Sequence, residues 1–331
     1  MLRTLVFAGL MFASPVFAIA PTQRAEQIAL SSPLARMHWN ELHVEARRIR
    51  DPLLRETSLE ILEKPKFQLA EKRRGDSQKI RAKLLELGLL DPKTEPKELI
   101  PNHEPMPFVA APASFWTQHH TYPGGLVFHT LTNLRTGTFI AQNWFWIYHV
   151  RLNSDLIRAA TIWHDSAKTW TLEWQPDGTV SRSEGQIAGT GAHHVLAVAE
   201  AVLRGMPAEF VVTLASAHNP AHPGAGLEEL ISYLKAASIL AGKGYSSAGL
   251  SEDGTRLAAP APLESYVNHL SDHDWVVTEV SLARTREALQ ALSPAPTAWE
   301  MDELFATYGD LKVYQEFLFK GSEGLKVLLA K

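Results

Sequence analysis

The chain reads as an all-α protein carrying one small β-hairpin insertion, and three observations lead there. Apolar residues return at helical spacing through most of the 331 residues. One stretch, Thr169-Trp170-Thr171-Leu172-Glu173-Trp174-Gln175, alternates strictly and runs into Asp177-Gly178, the signature of a hairpin turn. Proline concentrates between residues 91 and 125, leaving long helix-compatible stretches on either side. With 45% hydrophobic residues the chain can bury a full core, and one helical domain with appendages is expected in place of two equal domains.

Residues 1–20 begin with Arg3, continue through the apolar run Leu5 to Ala13, and end in Ser14-Pro15-Val16-Phe17-Ala18. These are the parts of a secretory signal peptide, with cleavage after Ala18 preferred because Pro21 would follow closely on Ala20. The apolar run is too short to cross a bilayer, so an exported, periplasmic protein without a membrane span is expected. From residue 24 to 90, Leu34, Met37, Leu42 and Ile49, then Ile80, Leu84, Leu87 and Leu90, recur near helical spacing and predict an N-terminal helical hairpin. Basic runs such as Arg47-Arg48-Ile49-Arg50 are read as its solvated face. Seven prolines from Pro92 to Pro123 then fix an extended loop that delivers His119, His120 and the turn Pro123-Gly124-Gly125 to the next helix. Backbone N–H groups at such a glycine turn, opening a helix N-terminus, can face an anion, which makes Gly124, Gly125 and His120 candidate substrate contacts.

A helix is predicted from Leu126 into Trp144-Phe145-Trp146, and another from Ser154-Asp155 to His164-Asp165. The hairpin follows, with Trp170, Leu172 and Trp174 on one face; a small packed face fits them better than a platform for a base or sugar, and the insertion could act as a lid. Helices resume at residues 192–203, 209–218 and 227–241, a Gly-, Ser- and Pro-containing linker spans 246–262, and helical periodicity returns from Leu263. The resulting division is 1–18 leader, 19–100 N-terminal helices, 101–245 central domain and 246–331 linker and C-terminal helices.

Composition excludes several chemistries. No cysteine occurs, so disulfides, thiolate nucleophiles and zinc-thiolate sites are absent. A net charge of −4 argues against nucleic acid as a partner unless through a local patch. No GxGxxG, GxxxxGK[ST] or GxSxG motif occurs to support hydride transfer, P-loop phosphoryl transfer or serine-triad hydrolysis.

What remains is a constellation of imidazoles around one carboxylate. His164-Asp165 forms a rigid corner suited to a divalent metal, with His129 upstream and His193 and His218 downstream, all in helical segments. Lys168 falls three residues past Asp165, on the same helical face, where an ammonium could contact a phosphate oxygen.

The runs Tyr122-Pro123-Gly124-Gly125-Leu126-Val127-Phe128-His129-Thr130 and Trp163-His164-Asp165-Ser166-Ala167-Lys168 resemble the HD-domain metal-dependent phosphohydrolase superfamily, most closely its branch of exoribonucleases and conjugative relaxase modules. The resemblance covers residues 119–242 and implies an HD-type helical bundle holding one or two divalent ions (Mn, Fe, Mg, Co or Zn). Its order H…HD…H…H…D assigns His129, His164, Asp165, His193 and His218 as metal ligands, with His194 the substitute for His193 should the register shift by one, and Asp165 and Lys168 as catalytic residues. Where the family closes with aspartate, the segment Lys235-Ala236-Ala237-Ser238 carries Ser238. Asp272, Asp274, Glu228 and Glu229 are substitutes for that carboxylate, although capping and solvation explain all four as well. The implied function is hydrolysis of a small phosphate ester, a monoester or diester such as a nucleotide, by metal-activated water. Two alternatives stand beside it: a non-catalytic module binding a ligand or partner, motivated by Ser238, and an iron-dependent oxygenase, since His129, His164 and Asp165 alone form a two-histidine, one-carboxylate set.

Overall fold

The computed structural model describes residues 19–115 and 118–330; the leader read in residues 1–18 lies outside them. The fold is all-α with small antiparallel hairpins, as expected. The N-terminal region is finer than the expected helical hairpin: it forms α1 (Pro21–Ser31), α2 (Pro33–Arg47), α3 (Pro52–Glu63), α4 (Gln68–Arg73) and α5 (Ser77–Glu86). The cause is local. Pro33 and Pro52 stand at first helical positions, where their missing N–H costs nothing, behind Ser32 and Asp51, whose side chains accept from Ala35 N (3.1 Å) and Leu54 N (2.9 Å). Met37 and Leu87, placed on the buried stripe by periodicity, are exposed, whereas Leu42, Ile49, Ile80, Leu84 and Leu90 are buried.

Two buried carboxylates fasten these helices to the centre. Asp155 accepts from the backbone N–H of Arg50 (3.0 Å) and Asp51 (3.1 Å) at the corner between α2 and α3. Glu200, with no exposed surface, accepts from Gln68 N (2.9 Å) and Leu69 N (3.0 Å), satisfying the open N–H groups at the start of α4.

The proline-rich loop runs as expected and, among its described residues, holds one short 3₁₀ turn, Phe108–Ala110. It leads into α6 (Gly125–Tyr148), which packs against α2, α7 (Ser154–Trp163) and α12 (Leu263–Ser271). After the His-Asp pair comes α8 (Lys168–Thr171), then β1 (Leu172–Trp174) paired with β2 (Val180–Arg182) in the register Leu172↔Arg182 and Trp174↔Val180. Trp170 therefore sits in a helical turn and not in the strand, because Trp170 N bonds Ala167 O (2.9 Å). It is fully buried, stacked on Phe67 at 4.8 Å, and Leu172 and Trp174 are buried with it, so the three form a packed face. A second small hairpin, β3 (Gln186–Ile187) with β4 (Thr190–Gly191), precedes α9 (Ala192–Leu203).

Helices α10 (Ala208–Ala215) and α11 (Ala225–Ala241) complete the centre, followed after the linker by α12, α13 (Trp275–Gln290), α14 (Ala298–Tyr308) and α15 (Asp310–Leu329). One large apolar cluster extends from Ala25 to Trp299. A second, built on Leu282, Leu304, Phe305 and Val313, also takes in Tyr122 and Phe128. The C-terminal helices are thus packed directly behind the start of α6, which matters for what faces the next residue, His129. No helix among the described residues is long and apolar enough to cross a membrane.

Candidate metal site

Five segments converge on one buried point. His129 lies in the first turns of α6 and Asn133 one turn further on the same face. His164 and Asp165 occupy the turn that ends α7, His193 the first turn of α9, His218 the turn after α10, and Asp272 the turn between α12 and α13. His129, His164, Asp165 and Asp272 are each less than a tenth exposed.

His129 Nε2 stands 3.2 Å from His164 Nε2, 3.2 Å from Asp165 Oδ2 and 3.1 Å from Asp272 Oδ1. His164 Nε2 is 3.5 Å from the same Asp165 oxygen and 3.6 Å from the same Asp272 oxygen. Ligand bonds of about 2.1 Å give edges of about 3.0 Å at right angles and about 3.4 Å at tetrahedral angles. The observed separations are those of a coordination shell.

The far side of each ring fixes which nitrogen is bare. His164 Nδ1 donates to Thr161 O (2.6 Å) and His129 Nδ1 to Asp274 Oδ1 (3.1 Å), turning the Nε2 lone pairs inward. Asn133 Nδ2 donates to Asp272 Oδ1 (2.8 Å) and orients that carboxylate. Electron-rich atoms so placed suit a proton or a metal cation between them. Burial opposes charge on His129, but Asp274, Asp165 and Asp272 outweigh it and push its pKa well above the usual imidazole value. Burial likewise opposes the charge of Asp165 and Asp272, yet Lys168 and His164 beside the first, and His164 and His129 beside the second, hold both well below the usual carboxylate range.

A second group shares these acids. Asp165 Oδ1 lies 3.5 Å from His193 Nε2 and 3.7 Å from His218 Nε2, while His218 Nε2 is 3.3 Å from Asp272 Oδ2. Asp165 Oδ1 and His193 Nε2 are buried without a hydrogen-bond partner. His193 Nδ1 donates to the Glu184 carboxylate (2.7 Å), again leaving Nε2 bare. Burial pushes His218 down to about 3 against the pull of Asp272 and Asp165, and burial with His193 and His218 nearby holds His194 well below its usual value, so both rings are neutral as ligands must be. His194, expected only as a substitute for His193, joins it: ligand atoms of Asp165, His193, His194 and His218 all lie within 4.8 Å of one another. The donors fall into two groups, His129, His164 and Asp272 in one and Asp165, His193, His194 and His218 in the other, and each group could hold a metal ion.

The cluster opens on a cavity of about 350 Å³ lined also by Lys168, His119, Phe115, Arg182, Trp275 and Glu279. Lys168 Nζ donates to Asp165 Oδ2 (2.5 Å) and so stands at the edge of the cluster, on the face its spacing predicts.

Three expected substrate contacts lie elsewhere. Gly125 is buried where an added Cβ would come within 1.9 Å of His120 O, and Gly124 has φ 82° with Ala29, Ala35 and Val109 around it. The N–H groups that open the helix are already taken: Gly125 N bonds Tyr122 O (2.8 Å), Leu126 N bonds Ala111 O (3.0 Å) and Val127 N bonds Gly124 O (2.9 Å). These glycines serve close packing and the turn. His120 points behind His129, toward Asp274 (3.7 Å) and Asp310 (3.8 Å); its neighbour His119 faces the cavity instead.

Of the four substitutes for the carboxylate absent at 238, the structure brings Asp272 into the cluster and Asp274 behind His129. Ser238 is buried in α11, its Oγ donating to Leu234 O (2.9 Å), and it does not line the cavity. The pair Asp272 and Asp274 reads in sequence as a helix cap. In the structure Asp274 stands at the N-cap of α13 without making a capping bond and turns to His129 instead. Arg182, the last residue of β2, and Glu184, just after it, carried no sequence signal, since their pattern is that of any polar hairpin edge.

No family model matches the chain, and no solved structure matches it significantly. Over 114 residues it is 34% identical to the dihydroneopterin 2',3'-cyclic phosphate phosphodiesterase of Methanocaldococcus jannaschii, a match covering 34% of this chain and 44% of that protein. The chain thus spans less than half the length of the curated relative it matches.

Proposed function

We propose that the chain is a metal-dependent hydrolase of small phosphate esters. The observation that carries the reading is the approach of His129 Nε2 and His164 Nε2 to Asp165 Oδ2 and Asp272 Oδ1 at 3.1–3.6 Å, each imidazole tethered through its other nitrogen. In this reading those four residues would hold one divalent cation, and His193, His194 and His218 with Asp165 would hold a second. Divalent ions supply Lewis acidity toward a phosphoryl oxygen and a water of lowered pKa. The chain's own groups do the rest. Lys168, already beside Asp165, neutralises charge growing on the phosphate oxygens, and the buried walls restrict bulk water around the reacting group. The partial likeness to a cyclic phosphate phosphodiesterase supports phosphoester chemistry on a small molecule.

The test is hydrolysis by purified protein loaded in turn with Mn²⁺, Fe²⁺, Co²⁺, Mg²⁺ and Zn²⁺, against phosphomonoesters, linear diesters and 2′,3′-cyclic nucleotides. Phosphate or monoester release that is abolished by His164→Ala supports the proposal. Stoichiometric metal with no turnover on any substrate, or oxygen uptake by the iron form without phosphate release, overturns it. Residues 1–18 add a proposal of export: Ile19 as first residue of the mature protein supports it, and retained Met1 overturns it.

A further inference from the structure

We infer that Arg182 is a specificity-determining residue that reads a second anionic group of the substrate, apart from the phosphate held over the His/Asp cluster. The inference rests on the phosphoesterase reading and extends it to substrate class: a phosphoester carrying another phosphate or a carboxylate.

Arg182 ends β2, on the wall of the cavity. Two contacts fix its guanidinium. Its Nε lies 3.0 Å from Glu184 Oε1, and its Cζ sits over the Phe115 ring at 5.0 Å. Glu184 also accepts from the backbone N–H of His193 and from His193 Nδ1, both at 2.7 Å, so its oxygens are shared with the metal cluster. The two terminal nitrogens of Arg182 have no protein acceptor among the described residues, and its side chain is 31% exposed. A planar fork of donors, pinned at its root and open at its tip, is the geometry that grips an oxyanion with two parallel bonds.

Lys168 is placed differently: its ammonium is held at 2.5 Å by Asp165 at the edge of the His/Asp cluster, where the first phosphate would lie, and not out on the cavity wall. Charge points the same way. Four carboxylates on the lining (Asp165, Glu184, Asp272, Glu279) face two cations (Lys168, Arg182), and two dications would turn that excess of two negative charges into two positive. A substrate with more than one anionic group matches such a cavity, and about 350 Å³ falls in the range of sites that enclose small organic ligands.

The experiment is calorimetric titration of the Mn²⁺-loaded protein with inorganic phosphate and with inorganic pyrophosphate, for wild type, Arg182→Gln and Arg182→Lys, with metal content measured on each sample. Wild type is expected to prefer pyrophosphate. Arg182→Gln should reduce that preference about tenfold or more, the scale of one charge-assisted hydrogen-bond pair, and Arg182→Lys should restore part of it. Metal content should match wild type in both. An unchanged preference in Arg182→Gln overturns the inference, and so does a preference lost only in step with metal, which would make Arg182 a prop for Glu184. A kinetic arm compares kcat/KM for a nucleoside 5′-diphosphate with that for 4-nitrophenyl phosphate; the ratio should fall in Arg182→Gln. If wild type hydrolyses nothing, the phosphoesterase reading fails, while the anion titration still decides the role of Arg182.

Discussion

Replacing Asp272 by asparagine keeps the shape of the side chain and removes one negative charge from the centre of the site. The carboxylate stands 3.1 Å from His129 Nε2, 3.6 Å from His164 Nε2 and 3.3 Å from His218 Nε2, with both oxygens used. Loss of an outer carboxylate that only orients a ligand already lowers metal affinity about 10- to 100-fold. A carboxylate that faces both ion positions should exceed that, so roughly 100-fold, or about 2.8 kcal/mol, is a floor for Asp272→Asn. The control is Ser238→Ala. Its hydroxyl makes only a bond to Leu234 O within α11, so the change should cost less than about 1 kcal/mol of stability and leave metal affinity intact. Equilibrium dialysis against buffered Mn²⁺, with hydrolysis rates on the same samples, reads both. If Asp272→Asn kept wild-type affinity while Ser238→Ala lost it, the assignment of the closing carboxylate to the α12–α13 turn would be refuted.

Three further outcomes are expected. Glu184→Gln should weaken one of two ions by about 10- to 100-fold and spare the other, because Glu184 tethers His193 and does not touch His129; stepwise metal titration distinguishes this from a uniform loss. Gly125→Ala should destabilise by about 3 kcal/mol or more, since its Cβ would meet the His120 carbonyl at 1.9 Å; denaturant unfolding within 1 kcal/mol of wild type would count against the turn geometry. In metal-free protein the raised pKa of His129 makes its contribution to stability complete below the ordinary value of 6.5 and progressively lost as pH rises through the raised value. Metal replaces that proton, so the gap in melting temperature between loaded and metal-free protein should widen with increasing pH, and a gap that narrows would contradict this.

Much of the fold and half of the site were legible in the sequence. Helices α6, α7, α9 and α11 and the β1–β2 hairpin follow from periodicity, alternation and Asp177-Gly178, because each element's local pattern agrees with its packing. That His129, His164, Asp165, His193, His218 and Lys168 come together was legible because adjacency in His164-Asp165 and helical spacing to Lys168 are local facts. The N-terminal hairpin dissolved into five helices because Pro33 and Pro52 start new helices where apolar periodicity alone would bridge them. Asp272 was one of four substitutes and could not be singled out for a tertiary reason: a carboxylate at a helix start has a ready local explanation as a cap, and only the packing of α12 against α6 turns it toward His129. Gly124 and Gly125 were misread in the opposite sense. A glycine turn before a helix suits an anion as well as a close backbone approach, and the nearness of the His120 carbonyl decides for the latter. His120 went with them, since nothing local tells which of two adjacent histidines faces inward.

The most direct measurement is an anomalous-scattering crystal structure of the Mn²⁺-loaded protein. Two peaks are expected, one bounded by His129, His164, Asp165 and Asp272, the other by Asp165, His193, His194 and His218. A map without density between His129 Nε2 and Asp272 Oδ1, in crystals shown by elemental analysis to contain the metal, would contradict the account.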